Sequence, residues 1–426
     1  MEKAPSTPFS GYEKFVIFIL AITQFTVILD FLVMSPMGDI LVKSLNMNTS
    51  QFGIAVSAYA FSAGFSGILT AGFADKFDRK KLLLFFYIGF VGGTIMCGLV
   101  NSYQWLVAAR IITGLFGGVI GSISMAIVTD LFTLQQRGRV LGFIQLGFGA
   151  SQVLGIPAGL YLATHLGWHA TFLAVAGLAA VVVVLLITML KPVNAHLAIR
   201  KDKSPLLHLW HTIQNKDYRI AFTSTALLSI GGFMMMPFGS VFARNNLNVS
   251  EENLPYVFLC AGIMTLIAMP LMGVLSDKID KLKLFAIACI WTVAVIIIYT
   301  HLSAVHLAIV ILLNILMMVG ITGRMVPSTT LVSGVPAMQD RGAFMSLNAS
   351  LQQISGGIGA AIGGMVVFQP TKTSPLQHYE IVGYIVAAIT VISIVLMARV
   401  DRLVKRRAAQ QPLNDIADKD IAMVEM

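Results

Sequence analysis

Asp30, Arg110 and Arg324 are charged residues set inside long apolar stretches of this 426-residue chain. Of its 20 acidic residues, only Asp30 lies well inside such a stretch. An ionised carboxylate surrounded by hydrocarbon is costly and rare, so a functional role is the default expectation. The alternative is a purely structural partner for a basic residue. Arg110 is the natural partner. Asp30 stands about eight residues before the end of its stretch, roughly 12 Å at 1.5 Å per residue. Arg110 stands about seven residues after the start of an antiparallel stretch, so the depths match. Burial favours the neutral acid and a nearby guanidinium favours the carboxylate. That opposition suits a group that loads and unloads protons, and a proton on Asp30 would release Arg110.

Arg324 has no acid well inside the apolar stretches of the second half of the chain, where Glu380 falls at a stretch end. Two readings stay open. It binds an anionic substrate, or it snorkels to the nearer surface or bonds helix-end carbonyls, which is the plainer expectation. Gln24, Gln145, Gln152, Asn314, Asn348, Gln352 and Gln353 are uncharged polar residues inside apolar stretches. Each is a candidate to line a cavity, or to bond between helices for about 0.6 kcal/mol. Met234, Met235 and Met236 offer an adaptable surface or simple apolar filling, and filling is favoured. The eight histidines fall near stretch ends or in the central polar segment. Cys97, Cys260 and Cys289 sit in apolar stretches without metal-ligand spacing, so neither a metal nor a disulfide is expected.

The elements that position these residues are apolar segments near 14–38, 50–73, 81–100, 103–131, 139–163, 168–190, 219–243, 254–275, 283–301, 304–332, 342–368 and 379–400. Each is long enough to cross a bilayer as a helix, which takes about 20 residues. The predicted fold class is therefore an all-α membrane protein of twelve transmembrane helices. Composition agrees: 57% of residues are apolar and 12% charged, with a mean hydropathy of +0.82. Soluble domains carry about 25% charged residues. The net charge of +9 does not point to nucleic acid, because no basic cluster is interleaved with exposed aromatics. Instead, 24 of the 29 basic residues fall in segments on one side of the predicted membrane. Only Lys43, Arg244 and Lys372 fall in loops on the other. Basic residues concentrate on the cytoplasmic side, so both termini are predicted to be cytoplasmic in a multi-pass protein of a bacterial inner membrane.

The polar segment 191–218 reads as a cytoplasmic linker between two bundles of six helices, 1–190 and 219–400, with 401–426 a cytoplasmic tail. The bundles repeat each other. Ala74-Asp75-Lys76-Phe77-Asp78-Arg79-Lys80-Lys81-Leu82 matches Ser276-Asp277-Lys278-Ile279-Asp280-Lys281-Leu282-Lys283-Leu284 at an offset of 202. Arg137-Gly138 matches Arg341-Gly342, and Gly155 and Gly159 match Gly359 and Gly363, at an offset of 204. Two parallel repeats of this kind place a substrate site at their interface, near the bilayer midplane. Small residues at four-residue spacing (Gly155 and Gly159, then Ser355, Gly359 and Gly363) let helices approach closely and slide. That would suit rocking of one half against the other.

Gly72-Phe73-Ala74-Asp75-Lys76-Phe77-Asp78-Arg79-Lys80-Lys81 resembles the loop 2–3 signature of the major facilitator superfamily, with Asp78 where the family has glycine. Arg110-Ile111-Ile112-Thr113-Gly114-Leu115-Phe116-Gly117-Gly118 resembles the second motif of its proton-coupled members. Gly147, Gly149, Gly155, Pro157 and Gly159 resemble the antiporter motif of its drug:proton efflux branch. Ile156 here separates a glycine and a proline that the family keeps adjacent. The resemblance implies a latch: Asp75 at the N-terminus of the eleventh helix, Arg79 on Asp130, and Asp277 mirroring Asp75, with Lys281 in the repeated motif. A latch of this kind holds the cytoplasmic side shut.

The expectation is a proton-coupled exporter of small organic molecules. Its partners would be its substrate, protons and the lipid bilayer, with no nucleic acid and no cofactor, and it would act as a monomer. A sugar or metabolite exporter or uniporter is the alternative. An enzyme would need acid, base or nucleophile groups gathered at one interface, and none are.

Overall fold

The computed structural model describes residues 9–71, 76–194, 197, 205–337 and 340–424. Twelve long helices are found among them. The first half holds α1 (Gly11–Val33), α2 (Thr49–Ala71), α3 (Arg79–Leu99), α4 (Tyr103–Leu131), α5 (134–166) and α6 (Trp168–Met189). The second holds α7 (216–245), α8 (Leu254–Lys278), α9 (Lys281–Thr300), α10 (Leu307–Ser333), α11 (Arg341–Val366) and α12 (Tyr379–Val424). Eleven are long and apolar enough to cross a membrane. The exception is α11, diluted by glycine and by Asn348, Gln352 and Gln353 but still 26 residues long. The linker contains a short helix, Pro205–Gln214, and α7 begins at Lys216, within the predicted linker. α12 continues past residue 400, through the predicted tail.

Local chemistry sets many of the boundaries. Ser10 and Glu13 form a reciprocal capping box at the start of α1, and Thr133 and Gln136 form another at the start of α5. Asp78, Asn215 and Asp280 cap α3, α7 and α9. Prolines interrupt three spans. α1 was expected to run to 38, but Pro36 has no N–H to continue the ladder. The chain turns after Val33 and resumes as a short helix, Gly38–Ser44. In α5, Pro157 leaves the Val153 carbonyl without its donor, and the helix widens into a π-helical turn, Ser151–Gly155, just before it. Pro237 falls in a 3₁₀ turn, Met236–Phe238, that breaks α7.

The two halves meet along α2 with α11 and α5 with α8. Glycine makes these seams close. A side chain at Gly53 would lie 2.7 Å from the Ala360 carbonyl, at Gly64 2.7 Å from that of Ser350, and at Gly262 2.8 Å from that of Gln152. The glycines singled out from the repeat do something else. Gly155 packs on Leu29, and Gly159 on Val33 and Thr171. Gly359 approaches the Ile230 carbonyl and Gly363 that of Met234. All four pack helices within their own half, so the expected sliding surface between halves falls to other glycines.

The ends of the molecule differ. One end carries the linker, the start of α1 and the repeated basic motifs; the far end carries residues 34–48, 246–253 and 367–378. A single buried cluster at the far end draws on both halves, from Met34, Met37 and Phe52 to Met234, Phe238 and Phe242. At the linker end the buried clusters are separate, one in each half. Every hydrogen bond described between the halves lies from mid-molecule to the far end. Ser57 Oγ donates to the Gly357 carbonyl at 2.8 Å, Thr49 Oγ1 to that of Val367 at 2.9 Å, and Ser240 Oγ to that of Ser35 at 2.8 Å. The three basic residues of the far-end loops join this closure. Lys43 and Arg244 approach the buried Asp39 at 2.7 and 3.6 Å, and Lys372 bonds Asn46 across the seam. The molecule is shut at its far end.

Candidate functional site

Asp30 and Arg110 meet as the depth argument requires, with both side chains fully buried. Arg110 Nη1 donates to Asp30 Oδ2 at 2.7 Å and to the Asp30 carbonyl at 3.3 Å. The Thr94 hydroxyl lies 3.2 Å from Asp30 Oδ1 and 3.0 Å from the Phe90 carbonyl, and it has one proton to share between them. The guanidinium lies 4.5 Å from the centroid of the Tyr59 ring, a cation–π contact. Its Nε and Nη2 have no hydrogen-bond partner among the described residues. Glycines of α4 bring these parts together. Side chains at Gly114 and Gly118 would overlap the backbone of α2 at Tyr59 and Ala63, and one at Gly117 would reach the Tyr59 hydroxyl.

Tyr59 links this pair to the seam between the halves. Its ring lies 5.0 Å from that of Phe31, the residue after Asp30. Phe31 lies 5.7 Å from Phe233 of α7, in the other half. A change at Asp30 and Arg110 thus has a packed route of two aromatic contacts to the opposite bundle. Sequence reasoning missed Tyr59, Thr94 and Phe233. Aromatic and hydroxyl residues are too common in membrane helices to stand out without their neighbours.

The second half has no such pair. Arg324 is buried on α10, and its one described hydrogen bond runs from Nη1 to the Thr390 hydroxyl of α12 at 3.4 Å. It neither snorkels nor bonds helix-end carbonyls, which corrects the plainer expectation. Thr390 of α12 and Gly232 of α7 lie against the guanidinium, and 7% of the residue is exposed. At the repeat offset of 204, Arg110 corresponds to Asn314 and Asp30 to Met234. Asn314 Nδ2 donates to its own helix, at the Val310 carbonyl. Met234 and Met235 are buried in the far-end cluster, as filling.

Of the other polar candidates, Gln145 and Gln352 are exposed, while Gln24, Gln152, Asn348 and Gln353 are half-buried. Gln352 and Gln353 lie away from the apolar face of α11 formed by Ile358, Ile362 and Met365. The Asn348 Oδ1 atom is buried without a partner among the described residues.

At the linker end, Arg79 Nε donates to Asp130 Oδ2 at 3.1 Å, joining the starts and ends of α3 and α4 as the motif implies. Asp75 lies outside the described residues. Asp277 is exposed and Lys281 half-buried, and neither is in a described ion pair. The position of Asp130 is taken in the repeat by Gly334. Asp280 instead bonds Lys405 of α12 at 3.0 Å.

Known proteins share this architecture. An "Uncharacterized MFS-type transporter YbcL" of Bacillus subtilis (strain 168) is 22% identical over 82% of this chain and 88% of its own length. A "Probable sugar efflux transporter" of Helicobacter pylori (strain G27) is 26% identical over 46% of this chain and 51% of its own. The crystal structure of a bacterial homolog to the human lysosomal transporter Spinster, inward-facing and unoccupied, superimposes with a TM-score of 0.77 at 16% identity. It covers 94% of this chain, which spans 99% of that one. The family model described as Major Facilitator Superfamily matches residues 20–238 and again 221–417, once for each half, and the chain belongs to that superfamily.

Proposed function

We propose that this transporter exports small organic molecules in exchange for protons, with Asp30 as the proton-carrying group and Arg110 as its switch partner. The observation that carries the reading is the fully buried ion pair of α1 and α4 in a membrane bundle. Uncompensated charge there is expensive, so protonating Asp30 changes what Arg110 must bond. Arg110 leans on Tyr59, and Tyr59 is packed through Phe31 onto Phe233. Movement of the guanidinium would thus bias the seam on which the halves rock. One proton falling through 100 mV supplies about 2.3 kcal/mol, enough for modest uphill export. The concentration of basic residues at the linker end supports a cytoplasmic placement for that end and both termini, in a bacterial inner membrane. On that placement the far-end closure is the outer gate.

The test is transport in proteoliposomes under an imposed pH gradient, screening cationic, neutral and anionic compounds. Asp30→Asn is expected to abolish gradient-driven accumulation while downhill exchange of substrate persists. Wild-type accumulation in that variant would sink the proton role. A second reading, sugar or metabolite export without proton coupling, draws on the Helicobacter relative's printed name. It predicts that the pH gradient leaves wild-type flux unchanged.

A further inference from the structure

We propose that Arg324 is an anion-docking site, and that the exported molecules carry a carboxylate or phosphate group which this guanidinium receives in the second half. The inference rests on the transport reading above and names the class of its substrate. Arginine stays protonated in proteins, so burial does not remove the charge. Arg324 retains 7% of its surface, yet no carboxylate is in an ion pair with it among the described residues. Its one described partner is the Thr390 hydroxyl, whose own proton goes to the Val386 carbonyl at 2.7 Å. Of the five N–H donors that guanidinium offers, most have no described acceptor. Arg110, at a comparable distance from charge balance, has Asp30 at 2.7 Å. The second half has Asn314 in the place of Arg110, and carries its own buried cation, Arg324, with no described carboxylate beside it.

α7 presents a glycine, not a side chain, beside the Arg324 guanidinium. Gly232 of α7 faces the guanidinium, and a side chain there would begin 4.0 Å from Nη2. Gly231 beside it packs against Val386 and Ile389 of α12. Gly232 therefore leaves α7 without a side chain beside Nη2. A carboxylate or phosphate matches the planar guanidinium fork with two parallel hydrogen bonds, which a single hydroxyl cannot.

The test compares each anion with its uncharged counterpart, benzoate with benzamide and glucose 6-phosphate with glucose. The protein is held in phosphatidylcholine nanodiscs, so that no anionic headgroup competes, and binding is read by thermal stabilisation and calorimetry. The wild type is expected to prefer each anion at least about tenfold, a comparison that needs no variant. Arg324→Gln should erase that preference while leaving the melting temperature and any binding of the neutral partner in place. Arg324→Lys should restore part of it, as a point charge without the fork. Equal binding of anions and neutral partners, no anion binding up to about 10 mM, or saturation by chloride with no organic preference would each overturn the site. The transport reading fails separately. It falls if a pH gradient drives no flux while the anion preference persists, and it survives if gradient-driven flux of neutral compounds continues without one.

Discussion

The two halves of this transporter share a fold and divide their chemistry. In the first, α1 and α4 bury a closed pair, with acid and base 2.7 Å apart and a tyrosine face beneath the guanidinium. In the second, the equivalent positions are Met234 and Asn314, and the buried Arg324 has a hydroxyl as its one described hydrogen-bond partner. A duplicated bundle therefore does not carry duplicated function. The repeat preserves glycine packing and helix caps, which any six-helix bundle needs, while the buried charges are not repeated. The same division is visible at the linker end, where Arg79 meets Asp130 while the repeat has Gly334 at the position of Asp130.

The largest test of this contrast removes one member of the closed pair. Arg110→Met leaves a buried acid without its counter-charge and should cost about 3–5 kcal/mol, read as a lowered melting temperature in detergent. The double variant Asp30→Asn with Arg110→Met should recover much of that loss, because no charge is left unpaired. Equal losses in single and double variants would show that the pair is not a coupled unit.

The next test separates glycines that pack a half from glycines that join the halves. Gly159→Ala brings a methyl within 2.7 Å of Val33 and should destabilise the first bundle by about 1–3 kcal/mol without opening the far end. Gly53→Val forces side-chain atoms onto the Ala360 carbonyl, across the seam. It should raise labelling of cysteines placed in residues 34–48 several-fold, and unchanged labelling would remove Gly53 from the closure.

The smallest effects belong to the linker end. Arg79→Gln should cost about 1–3 kcal/mol as a charged hydrogen bond is lost, and Lys281→Gln less than about 0.5 kcal/mol. Asp280 adds a pH signature of its own. The Lys405 ammonium and then the Lys283 backbone N–H hold its carboxyl below the usual carboxylate range. Its stabilising share is therefore present above about pH 4 and lost as pH falls through the lowered value. Asp280→Asn should flatten that acid limb of a melting curve, and only slightly, since the pair is exposed.

Much of this was legible in the residues themselves. Twelve spans, the twofold repeat and the contact of Asp30 with Arg110 follow from hydropathy, charge and a rise of 1.5 Å per residue, which are properties of the chain alone. The glycine positions were equally plain, but their partners were not. In helices that are apolar on every side, periodicity does not reveal which face meets which neighbour. Packing alone decided that Gly155, Gly159, Gly359 and Gly363 serve their own bundles, and that Gly53, Gly64 and Gly262 serve the seams. It also decided that Asp39 gathers the far-end cations. Arg324 shows the division most simply. Its sequence position announced a buried charge, but only the surrounding helices decided that its one described hydrogen-bond partner is the Thr390 hydroxyl.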